Sequence, residues 1–220
     1  MSLYRDEAIV LRTQKLGEAD RIITMLTREH GRIRGVAKGV RRTMSKFGAR
    51  LEPGSHVDIQ MYTGKTFDTV TQVEAIMNYG EAISTDYQRW TIASAILETA
   101  ERFTAQESEP ALQEFQLVVG GMKALAENRY DSSLILDAFL LRSLAIGGYA
   151  PSMSQCSRCE KPGPHRYFSL VGGDRSVWIV AHQHLQPPHQ KLSNSWVISS
   201  AEIGIVRKIV SFVFAEKLVA

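Results

Sequence analysis

The chain has 220 residues, of which 44% are hydrophobic and 22% charged, and its formal net charge is +3. This composition is typical of a globular protein with one large or two small domains, and it excludes an intrinsically disordered chain. No apolar run is long enough to cross a bilayer, and the first residues are too polar for a signal peptide. We therefore expect a cytoplasmic protein that does not contact a membrane.

Residues 4 to 76 are predicted to form five short β-strands. The first strand is expected to end at Arg12, and later turn signals lie at 29–31, 53–54 and 63–65. The runs between these turns are apolar or alternate between apolar and polar residues, as strands do. Five strands without a long helix between them favour a small antiparallel barrel. A barrel of this size is typical of the OB-fold, whose open face binds single strands.

The pattern changes to helical spacing after about Gly80. Three helices are predicted, the first beginning at Thr85 or Asp86 and the third at Asp131 or Ser132. Pro110 is expected in the first turn of the second helix. The third helix is apolar almost all round and should form the centre of a helical domain. The predicted fold class is therefore α+β, with the β part first.

Residues 32–50, here called the basic segment, concentrate positive charge. The segment has seven cations and no Asp or Glu, so the other residues of this +3 chain carry about −4. The cations are Arg32, Arg34, Lys38, Arg41, Arg42, Lys46 and Arg50. Such a segment favours binding of a nucleic acid backbone, mainly by charge. The alternative is a solvated basic loop without a partner.

One aromatic residue, Phe47, lies within the basic segment. It could stack on a base, which is worth roughly 1–3 kcal/mol, or it could fill the core beneath the loop. The sequence leaves both roles open, and Phe47 is placed with the seven cations among the candidate DNA-binding residues.

The two cysteines of the chain, Cys156 and Cys159, form a Cys-x-x-Cys motif. Two such thiolates can bind one zinc ion, but a tetrahedral site needs two more ligands. The later candidates are His165, His182, His184 and His189. A redox pair is the weaker alternative, because the flanking residues do not indicate a strand followed by a helix.

No residue pattern in the sequence indicates catalysis. Glu98 and Glu101 share a predicted helix but fit an ordinary solvated surface. The chain has no phosphate-binding loop and no nucleophile motif. We therefore expect a protein that is not an enzyme.

Several blocks of sequence, in order and at close spacing, resemble the N-terminal domain of the RecO family of bacterial recombination mediators. They are Leu16 to Ile22, Gly31, Ala37 to Arg42, Ser45 to Phe47 and Leu51 to Pro53. The Cys-x-x-Cys motif and the glycine pair Gly172-Gly173 extend the likeness to about residue 173.

The resemblance implies an OB-fold over residues 1–80 and a helical domain over 81–173 that begins a zinc-binding module. It implies binding of single- and double-stranded DNA and annealing of complementary strands, in DNA repair by the RecF pathway. It also implies partnership with RecR and single-stranded DNA-binding protein, help in loading RecA, and a nucleoid-associated location in the cytoplasm. Annealing needs no active site, which agrees with the lack of catalytic residues.

The likeness stops after about Gly173. Family members with zinc carry a second Cys-x-x-Cys shortly after the glycine pair, often followed by Arg-Pro, whereas this chain has no cysteine there. Codons compatible with residues 176–183, read one frame away, encode Cys-Val-Asp-Cys-Arg-Pro-Pro. We therefore predict that residues 174–220 come from a shifted reading frame, which would leave the zinc module incomplete. The alternative is a divergent tail with one more amphipathic helix between Ile203 and Leu218.

Two other classes of function stay open at this stage. One is a protein-interaction adaptor that has an incidental basic loop and no catalytic role. The other is a small nucleic-acid-processing enzyme. A salt-dependent annealing activity would distinguish the DNA-binding mediator from the adaptor, and product formation would be required for the enzyme.

Overall fold

The computed structural model describes residues 2–45, 47–104, 106 and 108–149. The chain divides into two compact units, Met1–Phe139 and Leu140–Ala220. The first unit contains all the strands and the first three helices, which are described below. The domain boundaries predicted at residues 80 and 173 stay a prediction. Residue 173 and the segment that follows it lie outside the described residues.

Five strands form the N-terminal part of the first unit. They are β1 (Leu3–Leu16), β2 (Asp20–Thr27), β3 (Gly31–Ala37), β4 (Ser55–Tyr62) and β5 (Asp68–Asn78). Their order around the sheet is β1-β2-β3-β5-β4, and β1 also pairs with β4. The prediction of a five-stranded OB-fold followed by helices is confirmed.

The sheet closes along a short seam between β3 and β5. This pairing is parallel and includes only two residue pairs, Gly35 with Asp68 and Val36 with Thr69. The other four strand pairs are antiparallel. The predicted antiparallel barrel thus has one exception, at the seam, where β3 and β5 run in the same direction.

Strand β1 is longer than its apolar run indicates. It continues past Arg12 to Leu16 because its second half pairs with β2, up to the pair Leu16–Asp20. The pairing register shifts between Val10 and Arg12, which marks a bulge in the strand. Hydrogen bonding, which composition does not reveal, extends this strand.

The barrel interior is filled by inward-facing side chains of all five strands and of the loop between β3 and β4. A short 3-10 helix in that loop, Gly48–Leu51, brings Leu51 into the core. The buried residues of this core are Ala8, Val10, Ile23, Met25, Ile33, Ala37, Phe47, Leu51, Val57, Ile59, Met61, Val70 and Val73. Alternation along the strands leaves every second side chain on the outer face.

Four helices follow the strands: α1 (Tyr79–Ile83), α2 (Tyr87–Phe103), α3 (Leu112–Glu127) and α4 (Ser132–Ile146). The Asp86 side chain accepts from the backbone N–H of Arg89 and so caps α2, as predicted. Asp131 likewise accepts from the N–H of Ser133 at the start of α4. The helices described are too short or too polar to span a membrane.

Two features of the helices differ from prediction. Helix α1 has only five residues, too few for a periodic pattern, and was not predicted. Helix α3 begins at Leu112, so Pro110 lies before the helix and not in its first turn. The physical reason is that the preceding segment is held by β3, where the N–H of Ser108 donates to the carbonyl of Arg32 at 3.0 Å.

Helices α2 and α3 pack on the outer face of the barrel. They contact β1 and β2, where Ile9, Leu11 and Leu26 are buried although they lie outside the barrel core. The turn between β2 and β3 meets the segment between α2 and α3. A Cβ at Gly31 would lie 1.8 Å from the carbonyl oxygen of Glu109. Gly31 is therefore required by close packing as well as by its φ of 67°.

We expect Gly31→Ala to destabilise the protein by at least ~3 kcal/mol, because the new methyl group meets backbone atoms that cannot move independently. Gly17→Ala is the matched control: its φ of 57° is similar, but no atom lies within 4 Å of the added Cβ. Its cost should be about 1–2 kcal/mol, from the left-handed conformation alone. Urea unfolding of both variants measures the difference, and equal costs would contradict the close packing at Gly31.

Candidate nucleic-acid interface

The basic segment begins on β3 and continues into the loop that leads to β4. Five of its cations have exposed side chains, one on the strand and four in the loop. They are Arg34, Lys38, Arg41, Arg42 and Arg50. Lys46 lies outside the described residues. Met44, at the tip of the loop, is 95% exposed.

The loop is fixed to the turn between β1 and β2 by hydrogen bonds. The N–H of Gly39 donates to Oδ1 of Asp20 at 2.7 Å. The Arg41 guanidinium donates to the carbonyl of Glu18 at 2.8 Å, and its backbone N–H donates to that of Ala19 at 3.0 Å. These contacts hold the loop that carries the exposed cations against the turn, which lowers the entropy that the loop loses when an anion binds.

Arg32 has a different environment from the other cations. Its side chain is half-buried, and its guanidinium donates to the carbonyl of Glu101 at 3.2 Å. That carbonyl lies in the last turn of α2, where backbone oxygens lack helical partners and the helix dipole favours a cation. The structure thus gives Arg32 a role in joining β3 to α2, which its place in the basic segment did not reveal.

Phe47 lies in the barrel core. Its side chain is only 2% exposed and belongs to the cluster that includes Leu51. A base cannot stack on a ring that is covered on both faces, so its place among the candidate DNA-binding residues was wrong. The alternative, in which Phe47 fills the core beneath the basic loop, is confirmed.

A second aromatic residue, Phe67, lies next to the basic segment across the seam. The guanidinium carbon of Arg34 is 5.1 Å from the centre of its ring, which is a cation–π contact. Sequence analysis did not select Phe67, since it is 33 residues from Arg34 along the chain. The pairing of β3 with β5 brings Arg34 and Phe67 together. In the sequence, the one signal at Phe67 is its position next to the predicted turn 63–65.

The turn that carries Phe67 is fixed by Asp68. One oxygen of its carboxylate accepts from the N–H of Gly64 at 3.0 Å, and the other accepts from the hydroxyl of Tyr4. Burial raises the pKa of the Tyr4 hydroxyl well above its usual range, and the hydrogen bond and negative charge of Asp68 add to this rise. Tyr4 therefore stays a neutral donor at physiological pH.

Acidic groups next to the basic segment are engaged in other contacts. Glu52 forms an ion pair with Arg21 at 2.6 Å, and Asp20 accepts from Gly39. Glu101 lies 3.5 Å from Arg12 on the side of the barrel covered by α2. The exposed cations of the loop thus dominate the local field, which favours an anion with several charges.

The proposed metal ligands Cys156 and Cys159 lie outside the described residues, as do the four candidate histidines. Within the described part of the chain, no group of three or more His, Cys, Asp or Glu side chains could hold a metal ion. The zinc site therefore stays a prediction.

The fold and its basic loop define the chain as an OB-fold protein with a helical extension. Two family models match it: the N-terminal domain of recombination protein O over residues 1–79, and the C-terminal domain over residues 84–195. The chain belongs to the RecO family, as its sequence blocks indicated.

Three relatives illustrate this similarity, each described as DNA repair protein RecO. The protein from Streptomyces avermitilis is 61% identical over 179 residues, covering 79% of this chain and 72% of the relative. The Streptomyces coelicolor protein is 59% identical over 185 residues, covering 81% and 74%. The Thermobifida fusca protein is 57% identical over 173 residues, covering 79% and 71%. Membership of this family connects the chain with DNA repair and recombination.

We expect Asp20→Ala to loosen the basic loop, because the N–H of Gly39 loses a carboxylate acceptor at 2.7 Å. A hydrogen bond to a charged group is worth about 1.5–3 kcal/mol, so amide exchange at Gly39 should accelerate about tenfold or more. Hydrogen exchange measured residue by residue tests this. Asp20→Asn, which keeps an oxygen acceptor, should restore most of the protection. Unchanged exchange in Asp20→Ala would contradict the anchoring role of Asp20.

Proposed function

We propose that this chain is a non-catalytic DNA-binding mediator that binds single- and double-stranded DNA through the basic loop. The observation that carries this proposal is the set of exposed cations fixed to the turn between β1 and β2. Lys38, Arg41 and Arg42 all lie within five residues of one another, and no acidic residue occurs in the basic segment. Phosphate spacing along a nucleic acid suits such a row of cations.

We further propose that the chain anneals complementary strands. Two single strands repel each other through their phosphates, and a surface of fixed cations reduces this repulsion without any chemical step. No catalytic group is required, so the proposal includes no active site. The surfaces for RecR and single-stranded DNA-binding protein, and the help given to RecA, follow from the family alone and are proposed on that basis. This role would place the chain on DNA in the cytoplasm.

The adaptor alternative gives the basic loop no ligand. The hydrogen bonds that anchor the loop argue against it, since an incidental loop has no need for a fixed arrangement of exposed cations. An annealing assay with complementary oligonucleotides, at low and high salt, distinguishes the two functions. Annealing that weakens steeply with salt supports the mediator.

Replacing Lys38, Arg41 and Arg42 together with Ala should abolish annealing and weaken DNA binding. Loss of phosphate contacts by Lys38 and Arg42, together with release of the loop that the Arg41 guanidinium anchors, should reduce the slope of log affinity against log salt by at least about 1.4 on single strands. The matched control replaces Arg102 on α2, Lys123 on α3 and Arg129, two residues after α3. These three have the same total charge and form ion pairs with Glu98 or Glu127.

Fluorescence anisotropy with a labelled oligonucleotide measures both triple variants. The control should keep nearly all of its affinity and its salt dependence. If the two variants lost affinity equally, the net charge of the protein and not the basic loop would be responsible, and the assignment of the loop would be wrong.

We also propose that Cys156 and Cys159 supply only half of a tetrahedral zinc site, because the second Cys-x-x-Cys of the family is missing. The C-terminal family model extends to residue 195, past Gly173, whereas matches to relatives cover 79–81% of the chain. The shifted frame stays a prediction. The nucleotide sequence of the gene decides it: a shifted frame without a Cys-x-x-Cys, or with an early stop codon, would contradict it.

Two thiolates alone should bind zinc weakly, so we expect purified protein to contain well under one zinc per chain after dialysis. Elemental analysis of the full chain measures this content. Cys156→Ser should change it little, because the weak site contributes little bound metal. One tightly held zinc per chain, lost in Cys156→Ser, would instead show that histidines complete the site.

A further inference from the structure

The pair Arg34–Phe67 has features that phosphate binding does not require. A cation that only neutralises phosphate works best with its charge free in water, whereas the guanidinium of Arg34 lies over the ring of Phe67 at 5.1 Å. Arg34 is nevertheless exposed, and Phe67 is half-buried. The ring therefore supports a planar cation on an exposed side chain.

The residues around this pair give it an apolar setting. Ile22 and Val36 are paired across β2 and β3 and are both half-buried. Strand alternation places Val36 on the same outer face as Arg34, two residues along β3. The surface next to the guanidinium is thus partly apolar, which suits the face of a nucleobase better than a phosphate.

The position of Phe67 is fixed before any ligand binds. Asp68 accepts hydrogen bonds from Gly64 and from Tyr4, so both ends of the turn are held. A Cβ at Gly64 would lie 1.9 Å from the carbonyl oxygen of Phe67, which shows how tightly the turn is folded. The adjacent seam fixes Asp68 opposite Gly35. A preorganised planar group loses little entropy when it stacks on a ligand.

We propose that Arg34, supported by Phe67, is a base-stacking platform that recognises unpaired nucleotides of single-stranded DNA. This inference rests on the proposed DNA-binding function and adds to it a preference for strands with accessible bases. The basic loop binds phosphates of either a single strand or a duplex. The platform binds only bases whose faces are accessible, because in a duplex each face is covered by the adjacent base pair of the stack.

The test compares two labelled oligomers of about 16 nucleotides, one of thymidine and one abasic, with equal numbers of phosphates. The wild-type chain should bind the thymidine oligomer about tenfold more tightly, which is within the range for stacking one base. Phe67→Ala should lose this preference while its affinity for the abasic oligomer stays unchanged. Arg34→Lys, which keeps the charge but not the planar group, should do the same.

Two further variants are controls for a change in folding caused by Phe67→Ala. Phe67→Leu keeps an apolar side chain in the turn and should also lose the preference, whereas Thr66→Ala, in the same turn, should keep it. A Phe67→Ala protein that still prefers thymidine would overturn the platform, as would a wild-type chain that binds both oligomers equally and in a salt-dependent way. If neither oligomer bound to wild-type protein, the proposed DNA-binding function would itself be wrong.

Discussion

Closure of the barrel at the seam between β3 and β5 determines much of what lies around it. The seam is only two residue pairs long, and inside it Gly35 leaves room for Met61, whose Cε would lie 2.4 Å from an added Cβ. A larger residue at this position would require the flexible end of the Met61 side chain to move. The same pairing brings Arg34 beside Phe67 and sets the direction in which β3 leads into the basic loop. A small, well-packed contact thus positions both parts of the candidate DNA-binding surface.

The candidate surface combines two kinds of recognition with different physical origins. Cations of the loop attract phosphates over a distance of about one Debye length, and this attraction depends on salt. Stacking on the Arg34–Phe67 pair acts only at contact and depends on the shape of the ligand. In the annealing role proposed above, the weaker, base-dependent contact would be lost as soon as the bases pair, and the strand would then be released.

The sequence predicted the strand and helix content well, and the contacts that join distant segments poorly. Alternation along β4 and the cap at Asp86 are local signals, and both were confirmed. The extension of β1, the parallel seam and the position of Pro110 depend on partners far along the chain, so no local pattern contains them. Phe47 shows the same limit: it belongs to a basic segment of the sequence, whereas its neighbours in space are the barrel core. The contact of Arg32 with the carbonyl of Glu101 in α2 could not be predicted for the same reason.

The burial of Ile9, Leu11 and Leu26 beneath α2 and α3 has a consequence for how the protein can be divided. These side chains lie on the outside of the barrel and are hidden by the helices that follow it. A fragment that ended near Gly80 would place them in water as one apolar surface on a β-sheet, which promotes self-association. Excising the barrel for biochemical work would therefore give an aggregation-prone fragment. The barrel and the first three helices therefore belong to one folding unit.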